Sequence, residues 1–366
     1  MPAVRRHLAS EMEIAAALRG EPAAPSDPAA FADMALHHRV APLLVHAHAA
    51  SRLPGIDAAR LLTHAREEIV VSELRDRQLC RALCALRDDG VEALLMKGSH
   101  LAYSHYAASH LRPRDDTDLL VSVAQRDRAA EILARAGYER MPDLTGGLVL
   151  GQTAFTLPDT VGALLDVHWH IVARRLVAGA LTFEDMWKRS VALPRLGPCA
   201  RGPCAVDALA LAAIHQSAHH AEHDLLLWVY DTHLLATRLS DEEVHEFVAL
   251  AAGRGIVALA VYSIELLMHN FPSPQAQALL DALRRVQRRE PAAFLVERRT
   301  ALENLASDLA ALKSWRARAH LLAAHLFPPA AYMRHTYRVK HRVALPWFYL
   351  RRIVGGTWRW VRERRD

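Results

Sequence analysis

Two acids with one residue between them, Asp116 and Asp118, follow an arginine-rich loop and lead into the apolar run LLV at 119–121. On an extended strand side chains alternate, so both acids face one side and Thr117 the other. Carboxylates this close repel each other, and a hard divalent cation such as Mg²⁺ offsets the repulsion. Upstream, the apolar run LLM at 94–96 stops at Lys97-Gly98-Ser99. Glycine admits close approach of a ligand to the backbone, and Ser99 reads as the cap of a short helix whose N-terminus suits phosphate. The two halves describe a metal-bound polyphosphate, with Gly98 and Ser99 at the phosphates and Asp116 and Asp118 at the metal.

A third carboxylate would complete a two-metal site. Asp166 lies inside the apolar run LLDVHWHI at 164–171, where a buried acid needs a partner. A strand beside the one carrying Asp116 and Asp118 would bring it there, as a metal ligand or as the general base for an acceptor hydroxyl. His168 and His170 alternate with Asp166 and share its face, so either could orient a carboxylate or a substrate. Lys97, Arg112 and Arg114 could neutralise triphosphate charge, hold the acids in place, or stay solvated.

These residues need a scaffold. Residues 1–88 carry apolar positions at helical spacing, broken at Pro25-Ser26-Asp27-Pro28, where Ser26 or Asp27 could cap the next helix; Gly90 ends the third helix. The pattern then changes. Short apolar runs at 91–96 and 118–123 read as strands, 125–136 as an amphipathic helix closed by Gly137, and 138–140 as a short strand. GQTAFTLP and GALLDVHWHIV read as a hairpin turning at Pro158-Asp159-Thr160. RLGPCARGPCAV at 195–206 reads as a boundary loop, after which helical spacing returns. The expected division is a helical N-terminal region (1–88), an α/β domain (89–200), a C-terminal helical region (205–330) and a basic aromatic tail (331–366).

The motifs, in this order, resemble the nucleotidyltransferase superfamily related to DNA polymerase beta, and more closely its bacterial family of uncharacterised nucleotidyltransferases. The resemblance rests on LLMKG (94–98), RPRDDTDLLV (112–121), AGY (136–138) and DVHWH (166–170), and spans roughly 36 to 240. Met96 stands where that family usually has Leu, and Thr117 where it has Ile or Val; neither is one of the acids. The resemblance implies an α+β chain: a minimal nucleotidyltransferase fold, a small mixed β-sheet with helices, flanked by N- and C-terminal helical regions. It implies Mg²⁺, as two ions on Asp116, Asp118 and Asp166, and a nucleoside triphosphate substrate. Lys97, Gly98, Ser99, Arg112, Arg114 and His168 would bind the nucleotide. It does not imply an acceptor, which could be a small molecule, a peptide or RNA. A non-catalytic nucleotide- or partner-binding module on the same fold, and a toxin-like modifier of tRNA or protein, are the alternatives.

In the C-terminal region His215, His219 and His223 recur at helical spacing, as a metal stripe or as part of a helix packed over the active-site face. The resembling family also has a His on such a helix followed by Trp-x-x-Asp, here Trp228 and Asp231. That helix would lend His215 or Asp231 to substrate binding or to domain contact.

With 366 residues and 52% apolar composition the chain can bury a substantial core, in about two or three packed units. Its charge is uneven. From Arg334 onward there are ten Lys or Arg against two acids, a net +8, so the rest of the +5 chain carries −3. That tail interleaves Trp347, Phe348, Tyr349, Trp358 and Trp360 with arginines. It could dock on the acidic body, lie on an anionic membrane surface or touch nucleic acid. Four cysteines are too few for a disulfide scaffold. Cys80 and Cys84, one turn apart, read as core residues, and Cys199 and Cys204 as loop residues. No stretch reaches the roughly 18 apolar residues of a membrane span, and Glu11 and Glu13 interrupt any leader-like core. The expectation is a cytoplasmic enzyme.

Overall fold

In the computed structural model residues 11–22, 25–47, 55–141, 151–161, 164–219, 225–296, 301–312, 314–339 and 341–352 are described. The N-terminal region is helical, with α1 (Pro28–His37), α2 (Ala41–His46) and the long α3 (Gly55–Asp88). Asp27 caps α1 by accepting from the Ala30 amide at 3.1 Å. Gly90, at φ +76°, ends α3 as its position suggested.

The α/β part follows as β1 (Ala93–Leu95), α4 (Lys97–Ser104), β2 (Thr117–Val121), α5 (Arg126–Arg135), β3 (Glu139–Arg140), β4 (Gln152–Thr156) and β5 (Leu165–His168). The strands form one mixed sheet in the order β1-β2-β5-β4-β3. Only β2 and β5 run parallel; the other pairs are antiparallel. The sheet divides two cores. Leu95, Leu119, Val121, Leu165 and Val167 pack with Leu79, Leu83 and Leu86 of α3 and with Ile132 and Leu133 of α5. Leu94 and Leu120 face the other way, as the two-residue period requires.

The second core is larger. It joins Phe31 and Leu44 of the N-terminal helices to Leu209, Ile214, Leu227, Phe247, Leu259 and Leu279 of the C-terminal ones. These lie on α7 (Ala205–His219), α8 (Leu226–Ala236), α9 (Asp241–Arg254), α10 (Val257–Asn270) and α11 (Pro274–Val286), with α6 (Phe183–Lys188) preceding them. Helices α1 and α2 therefore share with the C-terminal helices the core on the Leu94 and Leu120 face, while the C-terminal half of α3 packs on the other face.

The 195–206 segment is more ordered than a boundary loop. Arg201–Gly202 pairs with Val191–Ala192 in a small second sheet. Cys84 packs against the core and Cys199 lies in a turn, as read, and the structure joins the two in a disulfide across 115 residues of sequence that ties α3 to this segment. Cys80 and Cys204 remain thiols. Of the tail, residues 353–366, with Trp358 and Trp360, lie outside the described residues. Its described part folds back: Tyr349 donates its hydroxyl to the Pro328 carbonyl at 2.5 Å. No helix among the described residues is long and apolar enough to cross a membrane.

Candidate active site

The site is built where β2 and β5 lie side by side. Their register pairs Asp118 directly with Asp166, and Leu120 with His168. Paired residues on neighbouring strands project to the same face, so Asp118, Asp166 and His168 converge. One donor atom from each can be chosen so that all three lie within 4.8 Å of one another. Ala154 of β4 stands opposite Asp166, and its neighbour on that face, Gln152, donates to Asp166 Oδ2 at 3.2 Å. Sequence reasoning missed Gln152; its place two residues before Ala154, in a strand paired with β5, is the signal that could have found it.

Asp116 lies just before the strand, whose first residue is Thr117. Its charge nevertheless bears on the group. Burial, then the negative charges of Asp118 and Asp166, push the Asp116 carboxyl up to about 6. Burial and Asp118 likewise raise Asp166. Asp118 goes the other way: burial works to raise it, but the Lys97 ammonium and the His168 hydrogen bond outweigh burial and hold it well below the usual carboxylate range. Lys97 Nζ and His168 Nε2 each lie 2.7 Å from Asp118 Oδ1. With Asp118 ionised the imidazole donates, and burial keeps His168 below its ordinary range. His170 stands past the end of β5 and is exposed.

The Lys97-Gly98-Ser99 turn sits against the same acids. Helix α4 begins at Lys97 with Met96 as its cap residue, so the expectation that Ser99 caps it is corrected. Lys97 adopts φ +51°, a left-handed conformation uncommon outside glycine, and its ammonium turns back onto Asp118. Ser99 lies inside the helix, where its hydroxyl accepts from the Asp118 amide at 3.3 Å. The turn and the acid-bearing strand are thus fastened to each other.

Gly98 has a local reason of its own. A Cβ there would stand 2.7 Å from the Arg112 guanidinium carbon, so the glycine lets the helix close onto that guanidinium. Arg112 is itself engaged. Its Nε and Nη2 donate to Asp231 at 2.7–3.0 Å, and its Nη1 donates to the Pro113 carbonyl. Tyr106 donates its hydroxyl to the same Asp231 at 2.6 Å. Burial works to lower Arg112, but Asp231 outweighs it and the guanidinium is held above its ordinary range. Arg114 is different. Its Nη2 donates to the Tyr103 hydroxyl and to Asp76, while Nε and Nη1 are buried without a hydrogen-bond partner among the described residues.

The turn, both arginines, Asp116 and Asp118 line one cleft of about 360 Å³. Asp166 and His168 join it through Asp118, so the structure brings all nine sequence-derived residues to one place. His215 and Trp228 form another part of the cleft wall, their rings meeting edge to face at 5.9 Å. Of the histidine stripe, His219 ends the described helix and His223 lies outside the described residues.

The donor set suits a divalent cation. Asp116 and Asp166 are raised by burial and by the charge of Asp118, and the hydrogen-bond donors Lys97 and His168 are both spent on Asp118. Carboxylate oxygens in this state accept a hard ion such as Mg²⁺ readily.

In structure, the chain is similar to the solution structure of the antibiotic-resistance factor ANT(2'')-Ia. The match has 15% identity and a TM-score of 0.36, over 50% of this chain and 94% of that one. No curated protein matches it in sequence. The model of one family, described as uncharacterised nucleotidyltransferase, matches residues 24–272. That span holds the sheet, the acids, the Lys97-Gly98-Ser99 turn and the helix carrying Trp228 and Asp231, and the chain belongs to this nucleotidyltransferase family.

Proposed function

We propose that the protein moves a nucleoside monophosphate from a Mg²⁺-bound nucleoside triphosphate to an acceptor hydroxyl or phosphate, releasing pyrophosphate. The observation that carries this reading is the direct register of Asp118 with Asp166 on adjacent parallel strands, beside the turn fastened to Asp118. Asp116, Asp118 and Asp166 would hold the metal, and His168 would orient Asp118. When bound, the metal supplies Lewis-acid stabilisation of phosphate charge and activation of the attacking oxygen.

The chain's own residues account for the rest. The first turn of α4 offers amide N–H groups to a phosphate. Arg114 lines the same cleft and has two donor nitrogens without a partner among the described residues, so it would supply positive charge to the phosphates. Arg112 acts through Gly98 by fixing the turn. The acceptor oxygen bonds to the α-phosphorus as the bond from that phosphorus to the bridging oxygen breaks, and pyrophosphate leaves with that oxygen. Asp166, whose affinity for a proton is raised, is placed to take the acceptor's proton.

The test is calorimetric titration of ATP, CTP, GTP and UTP with Mg²⁺ into the parent and Asp118→Asn, followed by a pyrophosphate-release assay. The parent is expected to bind at least one triphosphate only with metal, and the variant to lose at least about tenfold in affinity, the effect of one charge-assisted contact. Equal metal-dependent binding by both proteins would sink the proposal. Metal-dependent binding with no turnover on any acceptor would assign a nucleotide-binding module instead.

A further inference from the structure

A recess of about 40 Å³ adjoins the cleft and shares Lys97, Gly98 and Trp228 with it. One water needs roughly 10–15 Å³ by this measure, so the recess holds about three water-sized groups and no nucleobase ring. Its walls are apolar at Leu101, Ala208 and Ala212. Lys97, Arg112, His215 and Asp231 also line it, and two further polar side chains there are both deeply buried and incompletely partnered. His100 is 1% exposed and Gln216 2% exposed. Neither nitrogen of the His100 ring, nor Gln216 Nε2, has a hydrogen-bond partner among the described residues. A buried donor left without a partner is costly, and a native site that keeps several of them at one recess marks what the recess receives.

Both side chains are held in place. Ser263 donates to Gln216 Oε1 at 2.7 Å, which fixes the amide and leaves its NH₂ for another partner. A Cβ on Gly202 would stand 2.3 Å from His100 Cδ2, so the backbone there closes directly over the imidazole. Burial, then the nearby His105, lowers His100 to about 3. At neutral pH the ring therefore offers one donor and one acceptor. The carboxylate at the recess, Asp231, is already matched by Arg112. The complementary group is small, uncharged, and both donates and accepts.

We propose that this recess binds a hydroxyl group of a substrate, accepting from Gln216 Nε2 and donating to His100. The proposal rests on the nucleotidyl-transfer reading and adds the residues that select the substrate. Two substrates carry such a group, the sugar of the nucleotide and a polyol acceptor, and the experiment separates them. Mg²⁺-dependent binding of ribo-, 2′-deoxy- and 3′-deoxynucleoside triphosphates is measured for the parent and two variants. Gln216→Glu removes the amide donor while keeping an acceptor for Ser263. Ala212→Leu fills the recess while leaving both polar side chains chemically unchanged.

For a sugar hydroxyl, the parent prefers the ribonucleotide over one deoxy form by about ten- to a hundredfold, and both variants lose the preference. For an acceptor hydroxyl, the parent shows no such preference. Glycerol, ribose or inositol then stimulates pyrophosphate release in the parent and not in the variants. If the variants match a triphosphate-binding parent in both assays, the recess assignment is wrong and the functional reading stands. A parent that binds no triphosphate overturns both.

Discussion

The Arg112–Asp231 pair gives the sharpest quantitative test of the architecture. It joins the loop before β2 to helix α8, and Asp231 and Arg112 are only 4% and 6% exposed. Asp231→Ala would leave a buried guanidinium without its counter-charge and the Tyr106 hydroxyl without its acceptor. Removing one partner of a buried ion pair costs about 3–5 kcal/mol. The orphaned hydroxyl adds to this, and water entering the vacated space subtracts, so a net loss of about 4 kcal/mol is expected. Against the roughly 5–15 kcal/mol that stabilises a typical domain this is a large fraction. Urea denaturation followed by tryptophan fluorescence at pH 7 reads it, as a lower midpoint at unchanged slope. The double variant Arg112→Met/Asp231→Leu should recover most of the loss, because no uncompensated charge remains buried. A loss below about 1 kcal/mol for Asp231→Ala, or strict additivity in the double variant, would refute the view that this pair is desolvated and mutually dependent.

Two further outcomes follow from the same structure. The Cys84–Cys199 bond closes a loop of 115 residues, for which chain entropy gives about 2–5 kcal/mol of stabilisation. Cys84→Ser should therefore melt below the parent, and dithiothreitol should lower the parent to meet it while leaving the variant unchanged; a parent indifferent to reductant would remove the bond from the account. His38 is 5% exposed, accepts from the Leu226 amide through Nδ1 at the start of α8, and is lowered to about 4 by burial and by His37. Since the unfolded chain binds this proton more readily, stability is complete above pH 6.5 and falls as pH drops from 6.5 to about 4. The contribution reaches at most about 3 kcal/mol, and His38→Asn should flatten that limb of a pH–stability curve relative to the parent.

The sheet and its acids were legible because their signals are local. The strands at 91–96 and 118–123 and the hairpin turning at 158–160 rest on two-residue alternation and turn residues within short windows, while the expectation that Asp166 joins Asp118 rests on a buried acid's need for a partner and on the family resemblance. What the sequence did not show depends on distant partners. Arg112 resembles a phosphate ligand until Asp231, far along the chain, is brought beside it. Gly98 resembles a phosphate cradle, and its close neighbour is that same guanidinium. Ser99 resembles a helix cap because the left-handed Lys97, which starts the helix two residues earlier, has no sequence signature of its own. The cysteines looked unpaired because their spacing says nothing about the path that folds 84 onto 199.

These long-range partners bear on the chemistry of the acids. Arg112 is close enough to feel the charge of Asp116. Left to itself, a buried guanidinium beside a raised carboxyl would pair with it and neutralise one of the oxygens that a metal needs. Asp231 instead engages the guanidinium at two nitrogens. On the proposed function, helix α8 would keep Asp116 available for the metal while holding Arg112 against Gly98. On this argument Asp231→Ala harms metal binding beyond its effect on folding, since the released Arg112 swings to Asp116. The folded fraction of that variant, studied well below its urea midpoint, should bind Mg²⁺ and triphosphate more weakly than the parent. Arg112→Met/Asp231→Leu, which has no cation to misplace, should bind better than the single variant. If the two variants bind alike, Asp231 supports the fold alone, and the C-terminal helices have no part in preparing the acids for a metal.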